Sequence, residues 1–498
     1  MAPRLRALAL QWTAWAAVAR LGQDGLRMAG RLILARLLGP EPFGLFALVL
    51  VIVAGSRALC ELELTKSVVQ RRATSQAVLS TAHWSQVGLG AIAALALLAL
   101  ASPLSALTGH PGVAPLLQVM SLQLLLGGFA TVPRAWLWRH LDFRRLATRG
   151  LVSEGVGSVA GIAAALAGAG VWSLAVQELM ADVMSLLLLW AIIPWRPSYH
   201  WSRREFAELF RFGSPVLGSQ GVEYLRYNAD RFIVGRAFGS EALGFYAMAQ
   251  RLAESVAGGI GAIFARVAFP AFARTQDDPQ RSHRGFLVGI RFQGLLTFPA
   301  LAIIGVLAED LVPLILGRKW TGAVSLTRIF AGRALVGSFL MLPRAMLLGR
   351  GRAGLVLGLS LCGLAVAALG WWLGLPWGPS GLAWSGMGAT ALLALIVLPI
   401  VSSELDIRAS EWGRALLPSV GATVAMILSL TLAKELWPGI APGGAAGRVA
   451  LLLLIGGACS SLVLLPWSIR ELPQYLRLLR ETSSVEAAPS PFIDEPED

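Results

Sequence analysis

The chain has 498 residues, 56% of them hydrophobic and only 14% charged, with a mean hydropathy of +0.66. A soluble chain carries about a quarter charged residues, so a water-soluble globular enzyme is excluded. The net charge of +13 does not indicate a nucleic-acid partner, because the arginines collect in alternate loops as the positive-inside bias of membrane proteins requires.

No Asp, Glu, Lys or Arg occurs between Arg72 and Arg134, or between Arg352 and Glu404. A span needs about 20 apolar residues, so each interval holds two helices and a turn. A β-barrel would instead show alternating segments of about ten residues. Hydropathy and punctuation predict an all-α polytopic membrane protein with about fourteen transmembrane helices. They lie near 8–38, 43–66, 77–101, 113–135, 150–169, 171–194, 209–238, 241–270, 285–308, 322–347, 353–374, 380–402, 413–433 and 448–468. Breaks such as Gly39-Pro40, Gly109-His110-Pro111-Gly112 and Pro376-Trp377-Gly378-Pro379 separate them. The basic start, MAPRLR, runs directly into an apolar span with no small-residue cleavage site, so it reads as a first helix and not as a signal peptide.

One set of loops is rich in arginine, including Arg71, Arg144, Arg203, Arg281, Arg350 and Arg408. The other set carries only Arg318, Lys319, Lys434 and Arg448. The first set, with both termini, is therefore expected on the cytoplasmic side. Trp84, Trp172, Trp195, Trp201 and Trp320 cluster near predicted ends, as interfacial anchors do. The tail from Thr482 is acidic and Pro-containing, a composition that favours disorder.

Residues 31–48, RLILARLLGPEPFGLFAL, recur without a gap as residues 231–248, RFIVGRAFGSEALGFYAM. Arg31/Arg231, Arg36/Arg236, Gly39/Gly239, Glu41/Glu241 and Gly44/Gly244 match, a set that apolar drift alone does not produce. A long-period repeat in a hydrophobic chain suggests a transporter of two similar lobes with its site between them.

The first span carries Arg20, Asp24, Arg27 and Arg31 on one helical stripe. At 1.5 Å per residue the stripe is about 16 Å long. The second span adds Arg57 and Glu61, the seventh Glu223, Arg226, Asp230 and Arg231, and the eighth Arg251 and Glu254. A charge at mid-membrane costs at least ~2.5–3.5 kcal/mol. So many are sustainable only against a wet cavity or against one another. The arginine excess favours an anionic ligand, and the planar guanidinium fork suits phosphate. Arg27, Arg31 and Arg231 are expected to meet it, with Arg20, Arg57, Arg226 and Arg251 in support. Asp230, Asp24, Glu61 and Glu254 are either partners of these arginines or carriers of a coupling ion, H⁺ or Na⁺. Arg36 and Arg236 sit near span ends and are expected to snorkel.

Cys60, Cys362 and Cys459 are far apart in apolar segments and read as small core residues. The five histidines show no metal-ligand spacing, and His83 and His110 read as incidental. No phosphate-cradling glycine loop followed by Lys-Ser/Thr, nucleophile elbow or paired-carboxylate signature is present. The reading is a transporter without a metal or organic cofactor.

Two blocks, LARLLGPEPFGLFALVLVIVAGSRALCELELTKSVVQRR (34–72) and NADRFIVGRAFGSEALGFYAMAQRLAE (228–254), resemble the conserved blocks of bacterial polysaccharide flippases. That family belongs to the multidrug/oligosaccharidyl-lipid/polysaccharide transporter superfamily. The resemblance extends loosely over 8–470. It implies two six-helix lobes in a V, here 1–200 and 201–408, followed by two additional helices in 409–480 and the tail 481–498. It also implies alternating access, a cationic lumen, ion-gradient coupling and an undecaprenyl-pyrophosphate-linked oligosaccharide as cargo at the inner membrane. A polysaccharide polymerase and export machinery are implied partners besides membrane lipids. A multidrug exporter of the same fold would instead call for an acidic, cation-receiving cavity. A membrane glycan polymerase or ligase would call for a sizeable outer loop or a clustered catalytic set.

Overall fold

The computed structural model describes residues 22–60, 75–140, 142–275, 278–436 and 446–463, and all regular structure in them is helical. Helix α1 (22–38) ends at Gly39, and α2 (Pro40–Cys60) follows at once. Then come α3 (Gln76–Thr108), α4 (Val113–Met120), α5 (Leu122–Arg139), α6 (Phe143–Leu166) and α7 (Trp172–Ile192). The second half opens with α8 (Arg203–Arg274), which is broken at Gly239. It continues with α9 (Pro279–Val306), α10 (Ala308–Leu316), α11 (Ala323–Ser338), α12 (Met341–Gly349), α13 (Ala353–Gly374) and α14 (Gly378–Leu405). Two more helices, α15 (Ala409–Leu436) and α16 (Ala446–Val463), close the described chain. Among the described residues, nine helical runs are long and apolar enough to cross a membrane.

Each half packs mainly on itself: α3 on α5 and α6 on α7 in the first, α11 and α12 on α8 and α13 on α14 in the second. The halves join where α2 lies along α8. The largest core cluster is shared, with Leu34, Leu48 and Met120 from one half and Tyr246, Trp320 and Phe330 from the other.

The sequence repeat is a repeat of backbone as well. Gly39 and Gly239 both have φ of 88°, a left-handed value that glycine adopts without Cβ strain, and both break a helix at the same place. Beyond them the two copies interlock. A Cβ on Gly44 would lie 1.6 Å from the carbonyl oxygen of Ser240, and one on Gly244 would lie 2.0 Å from that of Pro40. Ser240 and Pro40 are themselves repeat-equivalent, so the contact is reciprocal. The neighbouring turns cross over in the same way. Trp320 Nε1 donates to Ala35 O at 2.9 Å, and His110 Nε2 lies 3.2 Å from Gly235 O. Both carbonyls belong to the last turn before the glycine breaks, and Ala35 O also accepts from Gly39 N at 3.1 Å. Arg36 also crosses, with Nη1 donating to Leu314 O at 3.4 Å. His110, read from sequence as incidental, is thus part of this junction.

His83 is also not incidental: it is 1% exposed and ringed by Trp84, Phe129, Trp190 and Trp195 at 5.3–5.9 Å. The segment joining the halves is strapped to α3 beside it. Trp84 Nε1 donates to Ser198 O at 2.9 Å, Ser198 N to Ser80 Oγ at 2.9 Å, and Ser202 N to Thr81 Oγ1 at 3.2 Å.

The extra helix α15 lies along α9, and Met426, Leu430 and Leu452 form a small core with Leu307. Two of the four basic residues in the arginine-poor loops are neutralised there. Lys434 is 2.9 Å from Asp310, and Arg448 Nε is 3.8 Å from its other oxygen. Nearby, Arg328 lies 2.7 Å from Glu309, and this hydrogen-bonded contact holds the Glu309 carboxyl below its ordinary range.

Candidate functional site: two arginine clusters

On α1, Arg27 and Arg31 stand one turn apart and both reach across to the first half's own carboxylates. Arg27 Nε donates to Glu154 Oε1 of α6 at 3.0 Å, and Nη2 contacts the same oxygen. Arg31 Nη2 pairs with Glu178 of α7. The Arg27 side chain remains 46% exposed, and that of Arg31 17%. Helix α7 presents Glu178, Asp182 and Ser185 on one stripe, spacing i, i+4, i+7. Asp182 accepts from Gln123 Nε2 at 2.6 Å, and Ser185 Oγ accepts from Arg149 Nη1 at 2.6 Å. Arg57 is half-buried and Asp24 exposed. Arg20 and Glu61 lie outside the described residues.

In the second half the charges are packed more deeply. Asp230 is 0% exposed. It accepts from Tyr246 Oη at 3.0 Å and from Arg333 Nη1 at 3.1 Å, and the backbone N–H of Arg231 donates to its second oxygen at 2.9 Å. The Arg231 side chain donates to Gln250 Oε1 at 2.9 Å and to Asn228 Oδ1 at 3.2 Å, with Glu254 at 4.0 Å. Glu223 receives Arg226 at 3.0 Å, Arg344 at 2.7 Å and the Ser360 hydroxyl. Arg251 is half-buried.

Arg27, Arg31 and Arg231 each bond within their own half. What the structure assembles is two networks, one per half, in which Arg27 and Arg31 of the first and Arg226, Arg231, Arg333 and Arg344 of the second each meet a carboxylate or amide. Sequence reasoning overlooked Glu154, Glu178, Asp182, Arg333 and Arg344. A signal existed: Glu178 and Asp182 sit one turn apart inside the apolar α7, and Arg333 lies within α11, where a charge is as costly as those on α1.

The architecture is that of two-lobed lipid and drug transporters. Lipid II flippase MurJ in an inward closed conformation superposes with a TM-score of 0.71, at 13% identity over 92% of this chain and 99% of that one. An inward-facing multidrug resistance MATE family transporter of the MOP superfamily gives 0.63, at 18% identity over 79% of this chain and all of that one. The sequence narrows the class further. A family model described as polysaccharide biosynthesis protein matches residues 33–325, and the chain belongs to that family. Lipopolysaccharide biosynthesis protein WzxC of Escherichia coli strain K12 is 27% identical over 340 residues, 67% of this chain and 68% of that protein. Succinoglycan biosynthesis transport protein ExoT of Rhizobium meliloti strain 1021 is 28% identical over 309 residues, 62% and 63% respectively. The protein is a multi-pass membrane transporter, not an enzyme.

Proposed function

We propose that the protein is a flippase carrying an undecaprenyl-pyrophosphate-linked oligosaccharide across the bacterial inner membrane for exopolysaccharide, capsule or O-antigen assembly. The observation that carries this reading is the pair of arginine-rich networks inside a chain of the polysaccharide biosynthesis family. A multidrug exporter handling cations has no use for this excess of guanidinium. The headgroup passes between the lobes by alternating access while the polyprenyl tail stays in lipid. The pyrophosphate displaces Glu178 from Arg31 and Glu154 from Arg27, which are forks already aimed and partly exposed, and it meets Arg231 from the other lobe. An exchange of carboxylate for phosphate keeps each guanidinium paired, and the released Glu154 and Glu178 carboxylates must take up a proton or a cation, since a bare charge in a low-dielectric site is costly.

The arginine-rich loops and both termini face the cytoplasm, which puts the interlocked Gly44–Gly244 end outside and fits a cytoplasm-open resting form. Coupling to H⁺ or Na⁺ runs through an exchangeable carboxylate. Glu254 suits this role better than Asp230, because it is 41% exposed and 4.0 Å from Arg231, whereas Asp230 is saturated by Arg333 and Tyr246. A polysaccharide polymerase and export machinery receive the product.

The test is surface polysaccharide in cells lacking the native gene. Arg31→Ala and Arg231→Ala abolish it, Lys versions keep part, and all variants remain membrane-inserted. Normal export by both Ala variants refutes the anion site.

A further inference from the structure

The start of α9, the turn from α12 to α13 and the turn from α14 to α15 are tied into one patch. His283 Nδ1 lies 2.8 Å from Leu405 O, and its Nε2 lies 3.3 Å from Glu411 Oε1. Arg350 Nη1 donates to Glu404 O at 2.7 Å, and Arg352 lies 3.2 Å from the Glu404 carboxylate. Arg281 and Arg284 flank His283 in the chain, and Arg408 and Arg414 flank Glu411; all four arginines are exposed. The carboxylates here serve other groups. Asp278 caps α9 by accepting from Arg281 N at 3.0 Å, and Glu411 closes the first turn of α15 by accepting from Arg408 N at 2.9 Å. These are the positions where a side-chain oxygen answers the free N–H groups of a helix start. Glu404 is taken by Arg352, and Asp406 is exposed in a left-handed turn. Among the described residues, the guanidiniums of Arg281, Arg284, Arg408 and Arg414 form no ion pair, whereas Arg145 and Arg204 on other basic turns meet Asp142 at 3.3 Å and Glu208 at 3.6 Å.

The chain leaves the described residues beside this patch. Helix α16 runs antiparallel to α15: Arg448 sits by Asp310 at one end, Gly456 packs on Leu430, and a Cβ on Gly421 would lie 3.9 Å from Val463. Gly421 stands about 10 Å along α15 from Arg414. Residues 464–498 lie outside the described residues. Within them, 481–498 (ETSSVEAAPSPFIDEPED) carry Glu481, Glu486, Asp494, Glu495, Glu497 and Asp498 with no Lys, Arg or His. The stretch 464–480 before them would span about 25 Å as a helix and about 60 Å if extended, so either way the acids reach the arginines. A segment tethered this close has an effective concentration in the mM range. It also offers several carboxylates at once, where a lipid headgroup offers one or two charges. We propose that residues 481–498 dock on the Arg281–Arg284–Arg408–Arg414 patch, carboxylate on guanidinium, and so clasp α15 and α16 to the start of α9. The patch is separate from both arginine networks, and the docking does not depend on what crosses between the lobes.

The experiment uses the full chain with Cys60, Cys362 and Cys459 replaced by Ala, and Ser410→Cys and Ser490→Cys introduced. Both new cysteines carry nitroxide labels, and their separation is read by double electron–electron resonance in nanodiscs of neutral lipid. Docking gives a narrow short-distance component at low salt. In 1 M salt, where the screening length is about 3 Å, that component disappears. Asp494→Asn, Glu495→Gln, Glu497→Gln and Asp498→Asn together lower the ratio of docked to undocked chains about tenfold, since four exposed ion pairs each give about a twofold bias. Arg281→Gln with Arg408→Gln lowers it likewise, and the corresponding Lys variants keep most of it. Should the arginine variants melt early, the acidic variants decide, because they leave every described residue unchanged. A distance distribution indifferent to salt or to neutralising the acids overturns the proposal. So does loss of the short component when anionic phospholipid replaces the neutral lipid, which assigns the patch to headgroups; its persistence there supports the clasp.

Discussion

The two halves carry the same eighteen-residue motif yet use charge differently. In the first, position 30 is Gly, and α1 approaches α6 so closely that a Cβ there would meet Ser158 Oγ at 2.4 Å. The charges of that half lie three residues before it and one residue after it, as partly exposed pairs, Arg27–Glu154 and Arg31–Glu178. In the second, the equivalent position is Asp230, fully buried and locked to Arg333 and Tyr246. One half therefore holds ion pairs that can exchange partners, and the other holds an ion pair that fixes its helices. Pseudo-symmetry dictates where backbone breaks and close approaches fall, because these depend on glycine. It does not dictate which side chains become mobile sites, because that depends on what each half packs around them.

The largest effect is expected where the halves are most alike. Gly44→Ala and Gly244→Ala each push a methyl group into a backbone carbonyl, which no rotamer change relieves. Each should cost at least ~3 kcal/mol, the upper end of overpacking penalties, and the two should lower the melting temperature in detergent by similar amounts. Gly88→Ala, with nothing within 4 Å of the added Cβ, is the control. If Gly44→Ala melts with that control, the reciprocal contact is wrong.

Next comes the contrast itself. Asp230→Ala leaves Arg333 buried without its partner and should cost ~3–5 kcal/mol. Asp230→Ala combined with Arg333→Leu should recover most of that loss, since replacing both members of a buried pair is often neutral. Glu178→Gln, beside a partly exposed Arg31, should cost ~1 kcal/mol or less, as more accessible ion pairs do. Equal losses from the two acidic substitutions would erase the distinction between a fixed and an exchangeable pair.

The smallest effect concerns the crossed turns. Trp320→Phe keeps the ring but removes the donor to Ala35 O, at a net cost of ~1 kcal/mol. His110→Ala, at the mirrored position, should cost a similar amount. Cysteines placed at Arg36 and Leu314 should be bridged by a short bifunctional maleimide in the resting protein, the span being that of an arginine side chain, and substrate that opens this end should slow the reaction. Crosslinking indifferent to every transport condition would make the junction permanent rather than a gate.

Much of this protein is determined by local chemistry. Uninterrupted apolar runs can satisfy their backbone only as membrane helices, so the helical class and nearly every element follow from hydropathy and glycine–proline breaks. The repeat at 31–48 and 231–248 likewise announces itself, since its Arg, Glu and Gly residues are costly to keep by chance in an apolar helix. The tertiary structure decided the partners. Arg31 and Arg231 are equivalent in sequence, but whether each meets Glu178, Gln250 or the opposite lobe depends on which helices pack beside it. Asp230 and Arg333 lie a hundred residues apart, and only the packing of α11 on α8 makes them one buried pair. His83 and His110 look incidental in a one-dimensional reading, because a cage of aromatic rings and a backbone carbonyl across the junction exist only after the chain has folded.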